Sequence, residues 1–283
     1  MINLNGKIFP AGEAKLSIEN RGYQYGDALF ETIRAIHGKI VFWEDHYFRL
    51  MASMRILRME IPMEFSPEFL ENEILNLIEA NELKDKPVKI KLNVHRNPGG
   101  LYKPETRKIG YMIRVWELDS PFYILNNEPY QVELFKDYFV NSGLLSTLKT
   151  NNKILHVLGS IFAQENGFSN CILLNEKKMV TEALNGNLFL VQGKKIKTPP
   201  LSEGCLNGII RKKLLEILQK LPEYIVEEKV ISPFELQKAD ELFLTNVVLG
   251  IQPITVYRKK NFEKKIAGGL LAKINAVARL NQL

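Results

Sequence analysis

Pro87-Val88-Lys89-Ile90-Lys91-Leu92-Asn93-Val94-His95 alternates apolar and polar residues without a break. Successive side chains of an extended strand point to opposite faces, so this stretch reads as a strand with one face buried. Gly110-Tyr111-Met112-Ile113-Arg114-Val115-Trp116 is its natural pairing partner. Upstream the period changes. Leu50, Met54 and Leu57 recur at spacings of three and four, which predicts a helix over residues 44–58. Phe69, Leu70, Ile74, Leu77 and Ile78 form a second helical face, and Ser66-Pro67 opens it with a capping side chain and a proline in the first turn. Short strands with a turn at Asn5-Gly6 begin the chain, and Lys39-Ile40-Val41-Phe42 is a further strand candidate.

Beyond residue 117 the pattern dissolves into polar, proline-containing sequence. We expect a small α/β domain over residues 1–118, a linker over 119–128 and a larger domain over 129–283. That second part reads as an irregular strand near 130–139 and a helix near 152–165 whose apolar face is Ile154, Leu155, Leu158, Ile161 and Phe162, with Gly167 as its cap. Short strands are predicted at 171–174, 179–182 and 187–191, a helix at 209–221 and a strand near 224–230. Ser232-Pro233 starts a short helix, residues 241–245 form a buried strand, and a last helix occupies 269–282. The sum is an α+β chain in two parts.

Hydrophobic residues make up 46% and charged residues 25% of the 283, the balance of a soluble globular protein. No apolar run is long enough to span a bilayer, and the first residues lack the basic head and apolar stretch of a signal peptide, so a cytoplasmic location is expected. Cys171 and Cys205 are isolated, which supports neither a disulfide framework nor a metal site. The net charge of +6 is mild, and the basic cluster at Arg258-Lys259-Lys260 and Lys264-Lys265 reads as a solvated turn, not a nucleic-acid surface.

Four local features could carry chemistry. Asn207-Gly208 feeds a predicted helix start at Ile209-Ile210-Arg211, where free backbone N–H groups and the helix dipole suit a phosphate. Lys149 sits among small polar residues before a helix, where desolvation could make it a nucleophile; a solvated loop lysine is the alternative, and Lys153 is equally available on local grounds. Glu182 lies between two apolar runs, and a buried carboxylate needs a partner, either a protonated ring nitrogen or a structural arginine. Arg49, on a helix, offers a fork of donors that matches phosphate, or it pairs with Glu44 or Asp45.

In their order these features resemble the class IV aminotransferases, the fold-type-IV enzymes that use pyridoxal 5′-phosphate (PLP). The matching blocks are Asn20-Arg-Gly-Tyr-Gln-Tyr-Gly-Asp-Ala-Leu-Phe-Glu-Thr32, His46-x-x-Arg-Leu50, Lys149-Thr-x-Asn152, Val180-Thr-Glu-x-x-x-x-Asn-Leu-Phe189, Asn207-Gly-Ile-Ile-Arg211 and Leu244-Thr-Asn-x-x-x-Gly-Ile-x-Pro253. The resemblance implies a two-domain α+β fold with a barrel-like C-terminal domain, and a homodimer. It implies that Lys149 holds the cofactor as a Schiff base and moves the substrate α-proton, and that Glu182 keeps the ring nitrogen protonated. Arg49, the backbones of Ile209 and Ile210, and the turn at Asn246 and Val247 are implied on the phosphate side. His46 is expected to orient its helix, and His156 to lack a partner.

Within that family, Tyr25-Gly-Asp-Ala-Leu-Phe-Glu-Thr32, the Gly99-Gly100-x-Tyr102 segment and Leu244-Thr-Asn246 are nearest in motif to 4-amino-4-deoxychorismate lyases; Ala28, where that branch usually has glycine, departs from it. The expected reaction is therefore release of p-aminobenzoate and pyruvate for folate synthesis, with a branched-chain or D-amino acid aminotransferase as the alternative. Arg96 is the expected substrate-carboxylate contact, with Tyr25 walling the pocket and Arg34 a second arginine candidate.

Overall fold

The computed structural model describes residues 1–280. The chain divides into two compact units, the first comprising Met1–Pro121 and Lys149–Asn152, the second Phe122–Leu148 and Lys153–Arg279.

The first unit contains β1 (Ile2–Leu4), β2 (Lys7–Phe9), α1 (Arg21–Gln24), β3 (Ala28–Ile36), β4 (Lys39–Ile40), α2 (Trp43–Ile56), α3 (Pro67–Ala80), β5 (Val88–Arg96) and β6 (Ile109–Glu117). Its six strands form one sheet in the order β2-β1-β6-β5-β3-β4, every pair antiparallel. The alternation of β5 is decisive: Val88, Ile90, Leu92 and Val94 are each 0% exposed, on the face covered by α2 and α3. Burying each such side chain contributes about 1.5–3 kcal/mol. Ser66 caps α3 by accepting from Phe69 N at 3.1 Å. The strand expected through Phe42 stops at Ile40, because Phe42 turns into the left-handed region (φ 55°) and starts α2 with its ring buried. Asn5 and Gly6, with φ of 52° and 82°, form the tight turn of the first hairpin.

The second unit contains β7 (Gln131–Val140), α4 (Ile154–Glu165), β8 (Asn170–Asn175), β9 (Val180–Ala183), β10 (Asn187–Gln192), β11 (Lys195–Thr198), α5 (Ile209–Leu218), β12 (Ile225–Glu228), α6 (Pro233–Leu236), β13 (Glu241–Asn246), β14 (Gly250–Ile254), β15 (Val256–Tyr257), β16 (Lys260–Asn261) and α7 (Lys265–Leu280). Two five-stranded sheets, β12-β11-β10-β13-β14 and β16-β15-β7-β8-β9, mix parallel and antiparallel pairs. Their shared core holds Val132, Leu134, Ile172, Leu188, Leu242 and Leu244. The irregularity expected of β7 is a register shift against β8 between Phe135 and Val140.

Several boundaries differ from expectation, each for a physical reason. The final helix starts at Lys265 and not near 269, because the buried Glu241 accepts from Ile266 N at 2.7 Å and Ala267 N at 2.9 Å and so caps it from a neighbouring strand. Its expected end at Gln282 lies outside the described residues. On α4 three residues of the predicted apolar face, Leu155, Leu158 and Phe162, pack against the core, and two do not. Ile154 and Ile161 are 70% and 46% exposed, while the small Gly159 and Ala163 face the core. The four residues Lys149–Asn152, placed by sequence in the larger domain, belong to the first unit, because their backbone pairs with β3.

Candidate active site

Lys149 is fixed by its main chain. Phe30 N donates to Lys149 O at 2.9 Å, Asn151 N donates to Ala28 O at 3.0 Å, and Thr150 bridges Leu29, so the segment lies on β3 like a short extra strand. Asn152 Nδ2 donates to Gly26 O at 3.3 Å, and a Cβ at Gly26 would overlap the Asn152 amide. Gly26 also has φ +65°, so glycine is required there twice over. Two of the matching sequence blocks, the one ending at Thr32 and the one starting at Lys149, are thus one structural unit. The half-buried Lys149 places its ammonium 4.5 Å from the centroid of the Phe30 ring.

On the opposite side of β3, Glu31 explains the His-x-x-Arg spacing. His46 and Arg49 are three residues apart on α2 and so project from one face. Glu31 accepts from Arg49 Nε at 2.8 Å and Nη2 at 2.5 Å, and lies 2.8 Å from His46 Nδ1. Burial by itself would raise the Glu31 pKa; the Arg49 charge and the hydrogen bonds from His46 and Arg49 outweigh it and hold the carboxyl down at about 2. Burial pushes the His46 pKa down against the pull of Glu31, and the Arg49 and Lys149 cations add to that depression. His46 is therefore a neutral brace between α2 and Glu31. Arg49 pairs with Glu31, a partner eighteen residues away that local spacing could not reveal.

The expected substrate-side residues lie apart from that triad. Arg96 is buried and committed: Nε and Nη2 hold Asp27 at 2.9 and 3.3 Å, while Nη1 and Nη2 donate to the carbonyls of Arg58 and Leu57 at 3.2 and 2.7 Å. Asp27 also accepts from Arg21 Nε at 3.0 Å, and Arg21 Nη1 grips the carbonyls of Gly99, Gly100 and Leu101. Arg96 thus ties Asp27 to the carbonyls that follow α2, and Arg21 ties Asp27 to the loop after β5. Tyr25 lies under the Arg21 guanidinium, 4.8 Å from its ring centroid, and beside the exposed Tyr102. Arg34, buried on β3, donates to the Ser120 carbonyl.

In the second unit Glu182 is buried on β9, and its Oε2 accepts from Leu206 N at 3.0 Å and Asn187 Nδ2 at 3.3 Å. Its other oxygen, Oε1, lies 3.8 Å from His156 Nε2. His156 was expected to stand without a partner; the turn of α4 brings it to Glu182, across a sequence separation that hid the pairing. Burial pushes the Lys153 ammonium pKa down and Glu182 pulls it back up, so Lys153 belongs to the surroundings of this carboxylate. Asn187 links Glu182 to the start of α5: its Nδ2 donates to Leu206 O at 2.8 Å, and its Oδ1 lies where a Cβ on Gly208 would be. Gly208 is the N-cap of α5 and has no side chain, so the first-turn amides of the ten-residue helix, at Ile209 and Ile210, receive no cap from it. Asn246 shapes the next turn, accepting from Val248 N and Leu249 N at 3.0 and 2.9 Å, and Val247 O accepts from Tyr123 OH at 3.2 Å.

These residues fit an aromatic, phosphorylated, nitrogen-containing cofactor. A buried carboxylate with Oε2 hydrogen-bonded and Oε1 facing only a long His156 contact among the described residues suits a ring N–H, and a glycine-capped helix start suits a phosphate. Among the described residues no cluster of three or more metal-ligating side chains occurs, and no helix is long and apolar enough to cross a membrane.

The fold and these side chains define an enzyme of the PLP-dependent kind. The family "Amino-transferase class IV" matches residues 28–257, and the chain belongs to that family of PLP enzymes. It is 27% identical over 245 residues to the aminodeoxychorismate lyase of Vibrio harveyi, covering 86% of this chain and 88% of that one. It is likewise 27% identical over 260 residues to the D-alanine aminotransferase of Bacillus licheniformis, covering 89% and 86%. The solved 4-amino-4-deoxychorismate lyase of Pseudomonas aeruginosa has the same fold, with a TM-score of 0.83 at 25% identity over 98% of each chain. A branched-chain amino acid aminotransferase of T.th., solved with pyridoxamine 5′-phosphate, shares it too, with a TM-score of 0.87 at 25% identity over 98% of this chain and 94% of that one.

Proposed function

We propose that the protein is a PLP-dependent lyase of the 4-amino-4-deoxychorismate type, releasing p-aminobenzoate and pyruvate, with Lys149 as its catalytic residue. The observation that carries the PLP part is the pinned Lys149 backbone, which leaves its amine against Phe30 at a fixed place. Bound PLP supplies an electron sink for the pair left behind when a substrate C–H bond is broken. Every other task falls to the chain. Lys149 would hold the cofactor and would take the α-proton from a position already set by its backbone. Glu182 would accept the ring N–H, with Leu206 N and Asn187 Nδ2 holding its Oε2 so that the carboxylate cannot swing away. Ile209 and Ile210 N–H groups, the turn at Asn246 and Val247, and Arg49 serve the phosphate, and Glu31 keeps the Arg49 fork oriented. Tyr25 walls the substrate side.

The lyase is preferred on the Phe-Glu-Thr, Gly-Gly-x-Tyr and Leu-Thr-Asn segments and on the similarity to the Vibrio harveyi enzyme. An aminotransferase acting on branched-chain or D-amino acids is the second reading, favoured by the similarity to enzymes of those kinds. The test is product analysis of the PLP-loaded protein. Pyruvate and p-aminobenzoate formed from aminodeoxychorismate support the lyase; steady turnover of an amino acid with 2-oxoglutarate, and no pyruvate, reverses the order.

The same reading includes a cytoplasmic homodimer. The support for the dimer is the exposure of four apolar side chains of the second unit, Leu144 and Leu145 at 63% each, Ile154 at 70% and Val157 at 50%. Sedimentation of the purified protein at twice the mass of one chain is the expected outcome.

A further inference from the structure

The face of the first-unit sheet that turns away from α2 and α3 carries an unusual charge pattern. Register places Thr32, Lys91 and Arg114 in one row and Arg34, Lys89 and Trp116 in the next, with Phe30, Asn93 and Met112 in the row beyond Thr32. Lys91 therefore stands directly opposite Arg114, and Lys89 directly opposite Arg34. Like charges facing each other across an antiparallel pair destabilise a sheet. The carboxylates of these three strands, Glu31 and Glu117, both point to the other face. Among the described residues none of Lys89, Lys91 and Arg114 is paired with a carboxylate.

Aromatic rings fill the gaps instead. Lys89 and Arg114 lie 4.8 and 5.1 Å from the Trp116 ring, and Lys91 lies 4.7 Å from the Phe30 ring. Phe30 is the ring against which Lys149 rests at 4.5 Å, so this cation row begins one ring away from the catalytic amine. Arg114 Nε is buried with no hydrogen-bond partner, so the guanidinium is not satisfied within the chain. Burial lowers the Lys91 pKa, and repulsion from Arg114 and Lys89 lowers it further, so an anion arriving here relieves strain already present.

From this row we infer that Lys91 and Arg114 form a specificity site for a second, remote carboxylate, so that the pocket prefers a ligand carrying two acidic groups over one carrying a single carboxylate. Recognition of one carboxylate by an ammonium and a guanidinium supplies two charge-assisted contacts that a hydrocarbon side chain cannot make. The inference rests on Lys149 being the catalytic lysine, since the distance to Phe30 is what connects the row to the reaction.

The test separates the two claims. Glutarate and pentanoate, equal in length and differing in one carboxylate, are titrated calorimetrically into the PLP-loaded protein, with cofactor uptake followed by absorbance as its own readout. Glutarate is expected to bind at least tenfold more tightly, and the ratio is expected to fall to near one in Lys91→Gln and Arg114→Gln while pentanoate binding stays within twofold. Lys86→Gln, which removes an exposed lysine paired with Glu117 on the same sheet, should leave the ratio intact. Thermal melts show whether the variants fold, and removal of one opposed charge should leave the melting temperature equal or higher. A ratio near one in the unaltered protein, or one that survives both substitutions, overturns the inference while leaving the cofactor assignment standing. Absence of cofactor uptake with the ratio intact would overturn the assignment of Lys149 and, with it, the catalytic meaning of the row.

Discussion

Replacing Glu31 by Gln removes one charge from the most tightly coupled group of the first unit and changes its volume hardly at all. Glu31 is 2% exposed and carries both the Arg49 fork and His46 Nδ1. Two routes give the size of the effect. The carboxyl titrates at about 2 against an ordinary 4.5, and at about 1.4 kcal/mol per unit that difference corresponds to roughly 3 kcal/mol. Independently, stripping one member from a buried ion pair costs about 3–5 kcal/mol, because the other charge is left uncompensated. The sign follows from the depression: the contribution is complete above pH 4.5 and is lost as pH falls towards 2. His46 acts in the same direction, since its lowered pKa means that acid must charge a buried imidazole. Urea unfolding at pH 7 should therefore show Glu31→Gln less stable by about 3 kcal/mol, with a flatter stability profile between pH 4.5 and 2. The double variant Glu31→Gln with Arg49→Gln should recover part of the loss, because no charge is then stranded. A single-variant loss under about 1 kcal/mol, or an unchanged acid profile, would refute the reasoning.

Two further outcomes follow from the second unit. Gly208→Ala pushes a methyl group against Asn187 Oδ1, displacing the side chain that holds Glu182, and should weaken PLP binding about tenfold, a cost of about 1.4 kcal/mol; fluorescence titration measures it, and unchanged affinity would remove Asn187 from the account. Burial pushes the Cys171 thiol up to about 11 and the Cys205 thiol up to about 12, so at pH 8 neither should react with a disulfide reagent until the protein unfolds, when both should.

What the residues disclose on their own depends on the range of the interaction. The strand at β5 and the start of α3 are written in neighbours: strict alternation in one, Ser66-Pro67 in the other. β14 escapes such a reading because Gly250–Ile254 is buried on both faces and contains Pro253, so it shows neither alternation nor ordinary strand composition. The α7 start falls earlier than its local pattern suggests because its cap, Glu241, comes from another strand. At the site, Lys149, Glu182 and Arg49 stand out through the order of the family blocks, yet their supporting partners do not. Glu31 for Arg49, His156 beside Glu182 and Asp27 for Arg96 are pairings made by folding, and no spacing rule reaches them. The opposed cations Lys91 and Arg114 are individually visible as polar positions in two strands; only register makes them a pair.

The most direct measurement is to load the protein with PLP, reduce it with borohydride and locate the labelled peptide by mass spectrometry. Lys149 should carry the cofactor, and Lys149→Ala should carry none. A label on Lys153, or no label on a protein whose fold is intact, would contradict the assignment on which the rest depends.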